Sequence, residues 1–496
     1  MASPDPIDVE IERLRDLLSK RLHRIAEEQL ERLLAEHGSD RRVRLLHLDC
    51  LNEWNDLESA QAVATSLLDE TPDDPELLRR AIPILAASGR RELGLSYVEQ
   101  VLAKDPDSPQ VLGNAADMLE RSRRLDEAEA MIDRYERSSR PQASVAVHLR
   151  ARILTARKRH DEAIALLRDH FATVDLDRLP EPKVRETVEM HFLLAKISDR
   201  IGDYDGSWAA ATEAHRIDGT PFQIDAFRKL LDDQKTVFTR QATPMLAHAD
   251  EIETEPLIIM GNPRSGTTLL DQILGMHPQA EAGGELAASL LMQAAVARLT
   301  DSFLPFPTNL VDLRVADANA LGRMYERHTD GLRKGRRYLS NKALSMQMHL
   351  GMLSLCLPRL RVINLFRHPL DNCVSCYTTN LLASGHAYVN RLDWLAEVWK
   401  ARYEMQRFWP EVLGVPFLEL HYEDLVEHQE AETRRILDFL DVPFDEACLD
   451  FHTSAKAATT LSYEQVTQKM YSTSKGRWRH YEKHLGPLID ALEPYL

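Results

Sequence analysis

EPLIIMGNPRSGTTLLDQILGMHP, residues 255–278, decides the fold class of the second half of the chain. An apolar run rich in Leu and Ile, a loop bounded by Gly261 and Gly266, and a periodic apolar segment follow one another, which predicts a buried strand, a tight turn and a helix beginning near Thr267. Glycines at both ends of such a loop allow the sharp turn and let backbone N–H groups wrap an anion, and the helix N-terminus adds partial positive charge. The pattern departs from G-x-x-x-x-G-K-[ST], because Thr267 stands in the lysine slot, Thr268 follows it, and the cation is Arg264 inside the loop. In a nucleoside triphosphatase that lysine neutralises the β- and γ-phosphates and the next hydroxyl holds Mg²⁺. Its replacement predicts a donor with less charge to compensate, transferred without metal, which fits a sulfuryl donor better than ATP. A degenerate loop that binds nothing is the bland alternative.

Outward toward the C-terminus, LRVINLFRHPLDNCVSCYTTNL (360–381) predicts a second Val/Ile-rich strand ending at Arg367 and a helix starting near Pro369. Ser375 lies eight residues past Arg367, and an arginine with a hydroxyl can grip a phosphate monoester. Taken alone the two read as a surface pair; combined with PRSGTT they read as a phosphate grip. Cys373 and Cys376 form a C-x-x-C in the same helix, but no second Cys or His pair stands at zinc spacing, so they are read as core thiols.

Toward the N-terminus the text repeats. Small residues recur at Ala26, Ala60, Gly94, Ala128 and Ala163, and the polar turns NDLESA (55–60), RRELG (90–94), RLDEA (124–128) and RHDEA (159–163) keep the same register. Pro72 and Pro106, like Pro75 and Pro109, stand in turns where one helix must stop and the next can begin. A further unit, GDYDGSWAAA (202–211), follows after about ten extra residues. The run resembles a tetratricopeptide-repeat (TPR) array of roughly six helical hairpins over 10–235, with 236–254 as a connector and a nucleotide-binding domain over 255–496. Stacked hairpins build a superhelix with a groove able to hold an extended peptide, or a rigid spacer or dimerisation arm.

The whole chain carries 78 acidic against 61 basic residues, a formal net charge of −17, which argues against general nucleic-acid binding. Five scattered cysteines fit a reducing compartment. No secretory signal pattern, apolar 18-residue run or lipidation motif is found, so a cytoplasmic protein without membrane association is expected.

PRSGTT (263–268) and LFRHPLDNCVS (365–375) look like the 5′-phosphosulfate and 3′-phosphate elements of sulfotransferases, whose donor is 3′-phosphoadenosine-5′-phosphosulfate (PAPS). The chain resembles bacterial TPR-containing sulfotransferases, and residues 255–485 are most similar to tyrosylprotein sulfotransferases. The resemblance implies an all-α TPR-like superhelix followed by an α/β, P-loop-like domain with a parallel sheet. It assigns Arg264, Ser265, Gly266, Thr267, Thr268, Arg367 and Ser375 to the donor, Tyr422 in HYEDL to its adenine, and Lys475 in STSKGRW to its phosphates. Glu285 in AGGEL becomes the general base, Lys342 in LSNKAL the catalytic lysine and Ser462 in LSYEQV a transition-state hydroxyl, with no metal. Burial of Glu285 would lift its basicity toward that needed for a phenol. His277 is read as a loop residue. The acceptor expected first is a tyrosine of a protein or peptide, held by the repeat groove; a small-molecule or glycan hydroxyl comes next. A TPR scaffold with an inactive nucleotide domain and a P-loop kinase complete the field.

Overall fold

The computed structural model describes residues 5–19, 23–53, 57–71, 74–87, 90–139, 142–382, 385–453 and 474–496. They fall into two compact units, Met1–Val174 and Asp175–Leu496.

The first unit consists of paired helices: α1 (Pro6–Ser19), α2 (His23–His37), α3 (Arg41–Glu53), α4 (Leu57–Glu70), α5 (Pro75–Ala87), α6 (Arg91–Lys104), α7 (Pro109–Arg121), α8 (Leu125–Arg137), α9 (Ala143–Ala156) and α10 (His160–Ala172). The first helices of successive hairpins, α3, α5, α7 and α9, begin 34 residues apart. Each small residue of the repeat is the fourth residue of a second helix, and all five are buried. The reason is contact distance: a Cβ on Gly94 would lie 3.0 Å from the Met118 sulfur of α7. A larger side chain would force neighbouring helices apart. Apolar faces from α3 to α9 merge into one continuous core, including Leu48, Ala81, Leu112 and Ile132.

Arginines of α9 reinforce the stack. Arg152 bonds Asp117 and Glu120 of α7, and Arg150 bonds Asp133 and Glu136 of α8, both at 2.6 Å. Burial pushes the Asp117 carboxyl upward, but the guanidinium charges of Arg152 and Arg121 outweigh it and hold the group below the usual carboxylate range.

In the second unit the hairpin α11 (Glu181–Arg200) and α12 (Tyr204–Asp218) continues the repeat pattern, and α13 (Ile224–Val237) follows. Ser207 takes the small-residue position, fourth in α12, and is fully buried. The compact division therefore falls after Val174, not at the end of the repeats near 235, because α12 shares side-chain contacts with the sheet domain. Residues 236–254, expected as a connector, are irregular but packed: Phe238 is fully buried with its ring 5.5 Å from that of Trp409, edge to face.

A five-stranded parallel sheet forms the centre: β1 (Pro256–Gly261), β2 (Ala280–Glu281), β3 (Tyr338–Asn341), β4 (Arg361–Phe366) and β5 (Phe417–His421), in the order β2-β3-β1-β4-β5. Successive side chains of β1 point to opposite faces. Leu257 and Ile259 join a core with α14 (Thr267–Gly275) and α21 (Gln429–Phe439). Ile258 and Met260 join the other core, with α15 (Ala288–Thr300), α16 (Val315–Arg333), α17 (Met346–Cys356) and α19 (Leu392–Val412). Helices on both faces explain why β1 is buried along its whole length. The chain runs from β1 to one side and later returns to the other, so the carboxyl end of β1, between β3 and β4, is the switch point where ligands bind in such sheets. The remaining α-helices among the described residues are α18 (Pro369–Tyr377), α20 (Tyr422–Glu427) and α22 (Gly486–Leu492). Among the described residues no helix is long and apolar enough to cross a membrane.

Burial holds four histidines, His148, His191, His349 and His386, down to about 4; beside His148 and His386 the charges of Arg152 and Arg402 add to it. Their folded pKa lies below the unfolded value near 6.5, so between pH 6.5 and 4 the unfolded chain binds more protons and stability falls as pH falls. Each fully depressed histidine contributes on the order of 3 kcal/mol across that window. The thermal unfolding midpoint should drop steadily from pH 7 to pH 5, with a shallower slope in His349→Gln; a midpoint flat over that range would contradict the assignment.

Candidate functional site

The loop Asn262–Gly266 joins β1 to α14 at the switch point. Its backbone is tightly constrained. A Cβ on Gly261 would meet the Ser265 hydroxyl at 2.5 Å and the Leu365 carbonyl of β4 at 3.1 Å. Gly266 has φ 102°, and a Cβ there would lie 2.5 Å from the ring of Tyr422. Arg264 itself is left-handed at φ 68°. Arg264 and Gly266 thus both take left-handed φ in the loop, and Thr267 and Thr268, the first residues of α14, stand at the partially positive end of that helix.

The helix after β4 grips this loop. Arg367, one residue past β4, donates from one nitrogen to the Arg264 carbonyl at 2.6 Å and from another to the Ser474 carbonyl at 3.1 Å. Its guanidinium lies 4.6 Å above the ring of Tyr422, so Tyr422 braces both Gly266 and Arg367. Arg264 Nε donates to Ser375 Oγ at 3.1 Å. From the same face of α18, Asn372 Nδ2 and Cys376 Sγ both donate to the Pro263 carbonyl, at 2.8 and 3.3 Å. Arg264, Ser265, Gly266, Arg367, Ser375 and Tyr422, far apart in sequence, thus share one site. The C-x-x-C cysteines are buried free thiols, and burial first of all pushes Cys376 up to about 12.

At the neighbouring strand end, Lys342 follows β3 and is only 2% exposed. Its Nζ donates to Glu285 Oε1 at 2.8 Å. Glu285 sits in the irregular stretch after β2, held by Ser340 and Asn341: Gly283 N–H donates to Ser340 Oγ at 3.2 Å, Leu286 N–H to Asn341 Oδ1 at 3.3 Å, and Lys342 N–H to the Gly284 carbonyl at 2.8 Å. The Glu285 side chain is 38% exposed, because the loop carries it to the surface, and its partner is a buried ammonium.

Residues 256–446 match the model of the sulfotransferase family, and residues 85–153 match a tetratricopeptide-repeat model. The chain carries a sulfotransferase-family domain after tetratricopeptide repeats. A protein of Aquifex aeolicus (strain VF5) without a functional name is 26% identical over 312 residues, 61% of this chain and 41% of that protein. Protein-tyrosine sulfotransferase 1 of Danio rerio is 26% identical over 232 residues, 45% of this chain and 63% of that protein. The chain thus spans less than two thirds of the length of either relative. Among solved structures, the sulfotransferase domain of the Synechococcus PCC 7002 olefin synthase is 22% identical, covering 47% of this chain and 90% of its own, at a TM-score of 0.35. A tetratricopeptide repeat protein of Parabacteroides merdae ATCC 43184 is 14% identical, covering 46% of this chain and 97% of its own, at a TM-score of 0.31.

Of the residues assigned to the sulfotransferase site by sequence, Lys475 turns to a carboxylate rather than to the loop. Lys475 is exposed and bonds Glu427 at 2.5 Å; that carboxylate is the first cause of its raised pKa. Ser462 lies outside the described residues. His277, read as a loop residue, is buried, with Nε2 2.9 Å from the Pro443 carbonyl. Sequence reasoning missed Asp371. This carboxylate, 2% exposed in the first turn of α18, accepts N–H bonds from Gly476 at 2.7 Å and Trp478 at 2.8 Å. It fastens the C-terminal segment beside Arg367. Asn341 was missed as well; nothing in a lone Asn before Lys342 signals that it anchors the Glu285 loop.

Proposed function

We propose that the chain is a PAPS-dependent sulfotransferase acting on an acceptor hydroxyl. The observation that carries this reading is the convergence of Arg264, Arg367 and Ser375 on a phosphate loop whose lysine slot holds Thr267. The loop N–H groups, Thr267 and Thr268 would hold the 5′-phosphate, which replaces the lysine's triphosphate role with hydrogen bonds. Arg367 and Ser375 would hold the 3′-phosphate, a group that ATP lacks.

In the transfer the acceptor oxygen attacks sulfur in line, an O–S bond forms, and the S–O bond to the 5′-phosphate breaks. The electron pair leaves on the 5′-phosphate of 3′,5′-adenosine bisphosphate, and the acceptor proton passes to Glu285. Lys342, whose ammonium rests on Glu285, would turn to the bridging oxygen as negative charge gathers there. Ser462 is proposed as a second stabilising donor, Tyr422 as the residue bordering adenine, and Lys475 as an outer cation near the phosphates. The likeness to a protein-tyrosine sulfotransferase and the presence of repeats favour a protein tyrosine as acceptor.

Isothermal titration with 3′,5′-adenosine bisphosphate and with ATP·Mg tests the donor. The bisphosphate should bind and ATP·Mg should not compete. Arg367→Ala should weaken bisphosphate binding by about 10–100-fold, since hydrogen bonds to a charged group contribute roughly 1.5–3 kcal/mol. Preference for ATP·Mg would sink the reading and favour a kinase.

A further inference from the structure

The hairpin α11–α12 continues the repeat pattern, yet its side chains are committed to the donor site. Trp208, Thr212 and His215 lie at i, i+4 and i+7 and share one face of α12. Tyr377, in the last turn of α18 and two residues after Ser375, fills the socket they form. Its ring centroid stands 4.4 Å from that of Trp208, nearly parallel at 26°, and 4.3 Å from that of His215. Its hydroxyl is 3.0 Å from Thr212 Oγ1, and its carbonyl is 2.9 Å from His215 Nε2. All four of these contacts come from α12, and Tyr377 is only 5% exposed.

The same hairpin holds the second wall of the site. Tyr481 donates to Ser207 Oγ at 3.1 Å, Tyr204 stacks on His480 at 4.4 Å, and Trp208 stacks on His484 at 5.3 Å. These residues belong to the turn that begins directly after Gly476, beside Ser474, whose carbonyl accepts from Arg367. The two supports of the anion site, the helix carrying Ser375 and the segment touching Arg367, therefore rest on one foundation.

We propose that the Trp208–Thr212–His215 face of α12 is a positioning element of the sulfotransferase donor site, setting Ser375 and Arg367 for the 3′-phosphate. The proposal rests on the donor reading above. Its signature is discrimination between nucleotides: a displaced α18 takes Ser375 with it and loosens Arg367, whereas the 5′-phosphate loop, which α18 also touches at Pro263 and Arg264, is still held by β1 and α14 at its two ends.

The test compares the affinities of 3′,5′-adenosine bisphosphate and 5′-AMP for the full chain. Wild type should prefer the bisphosphate. Trp208→Ala should lose about tenfold of that preference, with a clearly smaller loss of 5′-AMP affinity than of bisphosphate affinity, as expected when charged hydrogen bonds go out of register, and Trp208→Phe should keep it. Leu112→Ala, a core cut in the first unit, should lower thermal stability and leave the preference unchanged. Should Trp208→Ala not fold, Tyr377→Phe and Thr212→Val, which each remove one hydroxyl, should still erode the preference. A discriminating wild type with discriminating Trp208→Ala or Tyr377→Phe variants overturns the proposal alone; a wild type that does not discriminate overturns the donor reading and this proposal with it.

Discussion

Lys342→Met should lower the rate of sulfuryl transfer by about 10²–10³-fold while leaving bisphosphate affinity nearly unchanged. The magnitude is that of one preorganised electrostatic donor removed from a developing charge, about 2.7–4 kcal/mol. Methionine fills nearly the same volume, which matters because Lys342 is almost fully buried. The released Glu285 carboxylate is 38% exposed, so water can solvate it and the fold is spared a stranded charge. Single-turnover transfer from PAPS, with the bisphosphate titrated in parallel, separates the two quantities. Unaltered turnover would show that Lys342 serves only to hold the Glu285 loop. A loss confined to donor affinity would move it into the binding site instead.

Gly266→Ala should abolish measurable bisphosphate binding. Two effects act at once. The position has φ 102°, where an L side chain is strained by about 1–2 kcal/mol, and the added methyl would meet the Tyr422 ring at 2.5 Å, an overpacking that costs typically 1–3 kcal/mol. Relief requires the loop or Tyr422 to move, and Tyr422 also carries Arg367. A combined Gly266→Ala/Tyr422→Leu chain removes the clash and keeps the strain, so it should regain stability without regaining binding. Binding of wild-type strength in Gly266→Ala would show that the loop is not the anion cradle.

What the sequence made legible was local. The strand, loop and helix of 255–278 appear where expected, with α14 starting at Thr267, and the second strand and helix appear as β4 and α18, starting at Pro369. Local signals suffice there, because strand apolarity, glycine spacing and a helix-starting proline each act within a few residues. The repeat period was legible for a related reason: the fourth residue of each second helix must be small wherever two hairpins touch. Features decided over long distances were not. Asp371 bonds backbone N–H groups 105 and 107 residues downstream, and main-chain partners leave no trace in residue type. The exposure of Glu285 depends on how Ser340 and Asn341 suspend its loop, and Lys475 turns to Glu427 through a fold no motif encodes. The compact division after Val174 and the end of the periodic text near 235 differ because periodicity reports which helices look alike, whereas compactness reports what they touch.

That boundary bears on how such chains can be recombined. A junction drawn after residue 235, where the periodic text stops, would trade away α11 and α12 with the repeats and leave Tyr377, Tyr481 and His484 facing solvent. A junction at Val174 and Asp175 cuts where the two compact units separate. Repeat arrays of different length or surface could be exchanged there as interchangeable cassettes, with the final hairpin inherited as part of the sheet domain.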